Sequence, residues 1–481
     1  MSAKITKKAT PQDASGEIRS FEPRIIAYLC SWCSYTGADT AGIARLPSPP
    51  NIRAIRVPCS GRVSPELIMR TFNEGADGVL VLGCHIGECH YDSGNHRAAK
   101  RLPVVQSLMA FAGLEPERLR LDWVSASEGE RFARITGEFT ESVRALGPTR
   151  WRVHSNAWEN FTRLAEPTRF SSPPDARQAP QRSADYYQGL TQAIQGTARQ
   201  LLTSGKVSCV IGYESGTHER ARPTFIYKPE QTRRLVWNPD CTHNLTLYLR
   251  QKLHKGNGHK SDQKPVAVVV KPCDSRAINV LLSENQFSRD QVHLIGVVCD
   301  GISKTHNSPE LQSRCQTCED LTPLVYDTLI GEAPKERLKG AAWQTEALDQ
   351  LQGMRPLERA EYWLSQFDRC IRCYACRQAC PMCDCPTCLF ERDDSTWNGL
   401  GLGLNEKRTF HLGRAYHLAA RCIGCNECER VCPMEIPISL LNMHLAREVQ
   451  AAFGHQAGLA ITPSPFVTRI SETGILEREE A

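Results

Sequence analysis

Short apolar runs separated by amphipathic stretches dominate the first 150 residues. Residues 24–29 (RIIAYL), 52–57 (IRAIRV) and 78–82 (GVLVL) have strand length, and each run stops at or just before a cysteine: Cys30, Cys59 and Cys84. Helical periodicity follows over residues 65–74 and 103–112. Strands that alternate with helices predict a parallel sheet. A stretch almost empty of apolar residues, 167–182 with SSPPDARQAP, reads as an interdomain linker. Beyond it, residues 209–213, 266–270 and 292–298 predict buried strands of a second α/β domain. From residue 356 the pattern turns helical, with GRAYHLAA before Cys422 and ISLLNMHLAREVQAA after Pro437. The expected fold class is α/β: a parallel-sheet N-terminal domain over 21–150, a linker over 151–183, and a second α/β domain over 184–345. A helical, cysteine-rich domain over 356–453 and a mobile or partner-bound tail over 454–481 complete it.

Charge narrows the classes. Charged residues make up 23% of the chain and the net charge is +5, too mild for a nucleic-acid binder. No apolar run approaches the length of a membrane span, and residues 1–17 lack the apolar core of a signal peptide. A soluble, cytoplasmic protein is expected. Cysteine is the outlier, at 22 residues. The cysteines bunch in ligand-like spacings, which in a reducing compartment means metal or cluster rather than a disulfide framework.

The strongest signal is an internal repeat. Cys370, Cys373, Cys376 and Cys380-Pro381 are matched by Cys422, Cys425, Cys428 and Cys432-Pro433. A 4Fe–4S cube needs four thiolates, and in two-cluster ferredoxins the fourth cysteine of each run ligates the other cluster. Cluster one is therefore assigned Cys370, Cys373, Cys376 and Cys432; cluster two takes Cys422, Cys425, Cys428 and Cys380. A zinc site would leave too many ligands unused. The glycines after Asn398 (NGLGLGL) follow no strand, so they do not read as a nucleotide loop. The long spacer and flanking helices resemble the α-helical ferredoxin module of heterodisulfide reductase gamma-type subunits and of succinate-dehydrogenase iron–sulfur subunits.

Five further cysteines lie at the carboxyl ends of the first-domain strands: Cys30 and Cys33 in CSWCSYTGAD, Cys59 in VPCSGRV, Cys84 and Cys89 in LGCHIGECHY. Parallel sheets build their sites at that edge, and four of the five would hold a 2Fe–2S cluster. A Cys30–Cys33 redox disulfide or structural thiols are the plainer readings. His85 and His90 flank two of the cysteines and are either ligands, as in Rieske centres, or hydrogen-bond partners. The stretches CSWCSYTGADTAGIARLPSPPNIRAIRVPCSGRV, GADGVLVLGCHIGECHYDSGN and LEPERLRLDWVSASEGERFARI resemble the delta subunit of methyl-viologen-reducing hydrogenase. That resemblance implies a 2Fe–2S cluster. It also implies docking on the flavin subunit of heterodisulfide reductase, paired with a hydrogenase, formate dehydrogenase or other donor.

In the middle region Cys273 (KPCDSRAI) and Cys299 (VVCDGI) follow strands, and Cys315 and Cys318 form CQTCED. Together they could supply a third 4Fe–4S cube. These segments resemble the beta subunits of deazaflavin-coenzyme-reducing hydrogenase and formate dehydrogenase, which implies such a cluster and leaves FAD as an option. No phosphate-cradling glycine loop is present, and residues 212–216 (GYESG) are unspecific. Cys383, Cys385 and Cys388 are further ligands or spare thiols beside cluster two, and Cys209 and Cys241 read as core. No residue set resembles an acid–base pair or nucleophile. The expected function is iron–sulfur electron transfer between a donor enzyme and a heterodisulfide-reductase-like, electron-bifurcating flavoprotein. The rival is a flavin-containing catalytic protein that oxidises NAD(P)H or a reduced deazaflavin. A redox-sensing regulator would need a DNA-binding helix pair that the sequence lacks.

Overall fold

The computed structural model describes residues 21–149, 151, 182–217, 220–253, 264–304, 308, 310–316, 318–334, 346–392, 399–470 and 476–478. Residues 152–181 of the predicted linker, and the polar stretch over 1–17, lie outside them. The chain divides into two units, one of residues 1–102 and 114–160, the other of residues 103–113 and 161–481.

The first unit is built on a four-stranded parallel sheet in the order β2-β1-β3-β4. Its strands are β1 (Ile25–Cys30), β2 (Ile52–Val57), β3 (Gly78–Gly83) and β4 (Leu119–Trp123). The pairings run Ile25↔Ile52, Ile25↔Gly78 and Val79↔Leu119. The central strands IIAYLC and GVLVLG are almost wholly buried, as continuous apolar runs covered on both faces should be. The edge strand IRAIRV keeps its arginines outward, which blunts the free edge. The sequence reading missed β4, because LRLDW puts Arg120 and Asp122 among its apolar positions on the other edge. The helix expected over 103–112 instead spans Gly94–Phe111, with Pro103 inside it. Its polar first half hides the periodicity, and a proline only removes one donor from a helix held elsewhere.

The second unit carries a five-stranded sheet in the order β6-β5-β7-β8-β9. Its strands are β5 (Cys209–Ser215), β6 (Ala221–Ile226), β7 (Val266–Val270), β8 (Val292–Val297) and β9 (Thr328–Ile330). The antiparallel edge strand β6 and the short β9 add to the three predicted strands. VAVVV and VHLIGV are buried throughout. The segment 212–216 continues the predicted strand through Gly212–Ser215, and Glu214 is held by Arg222 and Arg234. Helices Pro356–Asp368, Leu404–His417 and Ser439–Phe453 follow, and Trp363, Phe367 and Leu412 are buried.

Gly454 closes the last helix in the left-handed conformation (φ 62°). The chain beyond it is not loose at its start. Arg276 donates to the Ala457 carbonyl oxygen at 3.0 Å, and Asn279 to that of Gly458 at 3.0 Å. A side chain at Gly458 would collide with the Arg276 backbone. Among the described residues no helix is long and apolar enough to cross a membrane.

Candidate metal centres

In the first unit the strand order reverses around β1, so the crevice at its carboxyl end is the place where such sheets bind ligands. Cys30 ends β1, and Cys59 and Cys84 lie just past β2 and β3. The Ser34 hydroxyl laces that edge: it accepts from the Cys30 amide at 2.8 Å and donates to the Leu82 carbonyl oxygen at 2.7 Å. Two sulfur separations are short, Cys30–Cys84 at 3.5 Å and Cys59–Cys89 at 3.7 Å, with Cys59 also hydrogen-bonded to Cys30 and Cys33 to Cys84. A tetrahedral metal with metal–sulfur bonds of about 2.3 Å holds two thiolates about 3.8 Å apart. Each pair therefore fits one iron. A Cβ at Gly94 would collide with Cys59 Sγ and stand 3.2 Å from Cys89 Sγ, so only glycine leaves the sulfurs their room.

Cys59 and Cys84 thiols donate to Cys30, which pushes Cys30 down to about 2 and their own values up. A metal would take the place of those shared protons. Cys33 is half-buried beside Cys84, its thiol pushed up by burial. Among the described residues no three His, Cys, Asp or Glu side chains gather as a mononuclear ion requires. His85 meets Glu128 at 2.6 Å, and the His90 ring stacks on Trp32 at 3.6 Å.

In the second unit the two cysteine runs share one backbone device. The second and fourth residues after the first cysteine are left-handed in both: Arg372 (φ 51°) and Tyr374 (φ 59°), then Gly424 (φ 70°) and Asn426 (φ 48°). Left-handed turns with successive amides facing inward make anion-binding concavities of the kind found at Fe–S sites. Three of these positions are not glycine, so the conformation carries strain that the fold must hold. Each turn leads into a short helix, Ala375–Gln378 or Glu427–Arg430, bearing the third cysteine.

The fourth cysteines cross over. Cys380 lines a cavity together with Cys422, Cys425 and Cys428. Cys432 packs with Cys370 and Cys376 and acts electrostatically on both, while Cys373 is exposed beside Cys370. Cys428 faces the cavity and also touches the first cluster's core. Burial pushes Cys376 up to about 11 and Cys428 further. Asn442 reaches Cys428 Sγ at 3.9 Å.

Of the additional thiols, Cys383 lies against Cys380, whose thiol donates to it and pushes it down to about 5. Cys388 packs beside Cys370's core, and Cys385 is exposed. Burial raises Cys273, to about 12, and Cys299, and Cys315 lies close enough to add to both. Cys318 instead turns to the Asp320 carbonyl oxygen at 3.3 Å. Cys209 and Cys241 are fully buried.

Sequence reading missed the buried cations around these sites. Arg372 donates to the carbonyl oxygens of Gly399 (2.6 Å) and Gly401 (2.9 Å), so the glycine-rich loop wraps an arginine. Arg314 pairs with Glu427 at 2.8 Å and donates to Thr242 O at 3.0 Å and to Cys425 O. Burial works to raise Glu427, and Arg314 and Arg430 outweigh it, leaving its value lowered. That stabilisation is therefore present above the ordinary glutamate range and lost as pH falls through the depressed value. Glu427→Gln is expected to lower stability by about 3–5 kcal/mol, because it strands a buried guanidinium. Chemical denaturation of the anaerobic protein measures this, and a change under about 1 kcal/mol would show the pair to be dispensable.

Fold and thiol geometry together define an iron–sulfur protein with a hydrogenase-delta-like head. Residues 25–147 match the family model "Methyl-viologen-reducing hydrogenase, delta subunit", and residues 366–436 match a "4Fe-4S dicluster domain". The chain belongs, through this first region, to the methyl-viologen-reducing hydrogenase delta-subunit family. It is 49% identical over 128 residues to an F420-non-reducing hydrogenase iron-sulfur subunit of Archaeoglobus profundus, covering 27% of this chain and 93% of that protein. The corresponding vhc iron-sulfur subunit of Methanococcus voltae is 46% identical over 129 residues, 27% of this chain and 90% of its own length. A third relative comes from the ferredoxin/F420H2-dependent CoB-CoM heterodisulfide reductase of Methanosarcina acetivorans. That reductase chain is 48% identical over 126 residues, 26% of this chain but 16% of its own length.

Proposed function

We propose that this chain is the iron–sulfur electron-transfer subunit of a cytoplasmic multi-subunit redox complex. It relays electrons between a donor enzyme, such as a hydrogenase or formate dehydrogenase, and a heterodisulfide-reductase-like flavoprotein capable of electron bifurcation. The carrying observation is the crossed cysteine set, Cys380 in one cavity with Cys422, Cys425 and Cys428. The hydrogenase-delta-like head supports the choice of partners, since its relatives are named as subunits of hydrogenases and of a heterodisulfide reductase.

The domains are taken as 21–150, 184–345 and 356–453, with a linker over 151–183 and a tail from 454. Cys370, Cys373, Cys376 and Cys432 hold one 4Fe–4S cube, and Cys422, Cys425, Cys428 and Cys380 the other. Cys30 with Cys84 and Cys59 with Cys89 hold a 2Fe–2S cluster, with Cys33 outside it. Cys273, Cys299 and Cys315 are the core of a third cube, completed by Cys318 or another ligand. Bound, these groups supply one-electron carriers. The chain's own part is to fix the thiolates, keep water from buried sulfurs and set the charge around them. Trp32, Ile86 and Tyr91 are exposed around the first-unit cysteines and form the apolar rim on which the flavoprotein docks.

Anaerobically purified chain is expected to carry about ten irons, two cubes and one 2Fe–2S centre, and about fourteen with the third cube. Stoichiometric zinc with almost no iron would end this reading. Bound FAD, with oxidation of NAD(P)H or a reduced deazaflavin by the chain alone, would make it a catalytic component instead.

A further inference from the structure

Arg414 projects from the helix Leu404–His417 and is 3% exposed. Two other largely buried arginines of this unit bring a carboxylate with them. Arg314 has Glu427, and Arg421 has Glu284 at 2.5 Å. No carboxylate pairs with Arg414 among the described residues, and the acidic groups that act on it are cysteine side chains: Cys383, Cys380, Cys376 and Cys428. Its Nη2 donates to the Cys376 carbonyl oxygen at 3.0 Å, its guanidinium reaches Cys383, and its buried Nε has no hydrogen-bond partner.

These neighbours belong to both ferredoxin-type sites. Cys376 falls in the first ligand set, Cys380 and Cys428 in the second. A buried cation without a counter-ion is strongly disfavoured. A cube held by four thiolates carries net negative charge, so two such cubes would supply the missing compensation from either side. The unsatisfied Nε–H is also a donor of the kind that tunes cluster sulfurs.

We propose that Arg414 is a positioning residue shared by the two cubes, one fixed positive charge between them that raises the reduction potential of both. This rests on the ligand sets given under Proposed function. When an electron passes from one cube to the other, the first is oxidised by one electron and the second reduced by one. The charge moves from one side of the same guanidinium to the other, so neither cube gains at the other's expense. No proton need move, because guanidinium does not deprotonate in proteins.

The test is redox titration of the full anaerobic chain, followed through the electron-spin signals of the two cubes. Arg414→Gln is expected to lower both midpoints. At a fixed potential each cube's reduced-to-oxidised ratio should fall about tenfold, which is 59 mV for a one-electron centre. Arg414→Lys, which keeps the charge and loses the fork, should hold both midpoints near those of the unsubstituted chain. Full iron with unchanged midpoints in Arg414→Gln, or a fall in only one cube, overturns the proposal. If Arg414→Gln fails to hold iron, Arg414→Lys decides alone. Held midpoints with full iron support a charge effect, whereas lost iron or lowered midpoints show a structural prop and overturn it. Absence of two cube signals in the unsubstituted chain is a separate result that refutes the ligand sets themselves.

Discussion

Replacing Cys380 by alanine is expected to remove the cube beside Cys422, Cys425 and Cys428 and to spare the one next to Cys380 in sequence. Cys380 shares its cavity with those three sulfurs, while Cys432 packs with Cys370 and Cys376. The loss should be about four irons of about ten, with one of the two cube signals gone. Cys383 lies against Cys380, so it is placed to substitute for its neighbour. The double replacement of Cys380 and Cys383 is therefore the decisive variant. Cys432→Ala should produce the mirror result. Should the double variant lose the signal of the Cys370 run and keep the other, the ligands do not cross, and each run closes its own cube.

The second large effect concerns the first unit. In the full chain, Cys59→Ala or Cys84→Ala should abolish the electron-spin signal of a reduced 2Fe–2S centre and leave both cube signals in place. Each removes one member of a sulfur pair, Cys59–Cys89 at 3.7 Å or Cys30–Cys84 at 3.5 Å, and so uncaps one iron. Gly94→Ala should do the same without touching a ligand, since its methyl group would collide with Cys59 Sγ. Cys33→Ala should keep the signal. A signal that survives the loss of Cys59 and of Cys84 but not of Cys33 would return the site to the redox-disulfide reading of Cys30 and Cys33.

Local pattern was enough wherever burial is continuous along the chain. Fully buried strands such as GVLVLG and VAVVV announce themselves as unbroken apolar runs, and the two cysteine runs declare their chemistry by spacing alone. Edge elements were hidden, because LRLDW in β4 and ARPTFI in β6 pair on one side only and tolerate polar residues. The helix Gly94–Phe111 was cut short at Pro103 for a similar reason, its polar first half giving no period. Spacing also could not say which sulfurs of the first unit approach one another, nor that Gly94 must be bare beside them. Those facts depend on which strand ends meet, and strand order is a long-range choice. Least visible of all was Arg414. An arginine in a helical stretch reads as a solvated face, and only the packing of its helix against both cysteine runs turns it into a buried charge among thiols. Burial and charge pairing are properties of the assembled core, where a low dielectric makes every unpaired group costly, and no local window of sequence contains them.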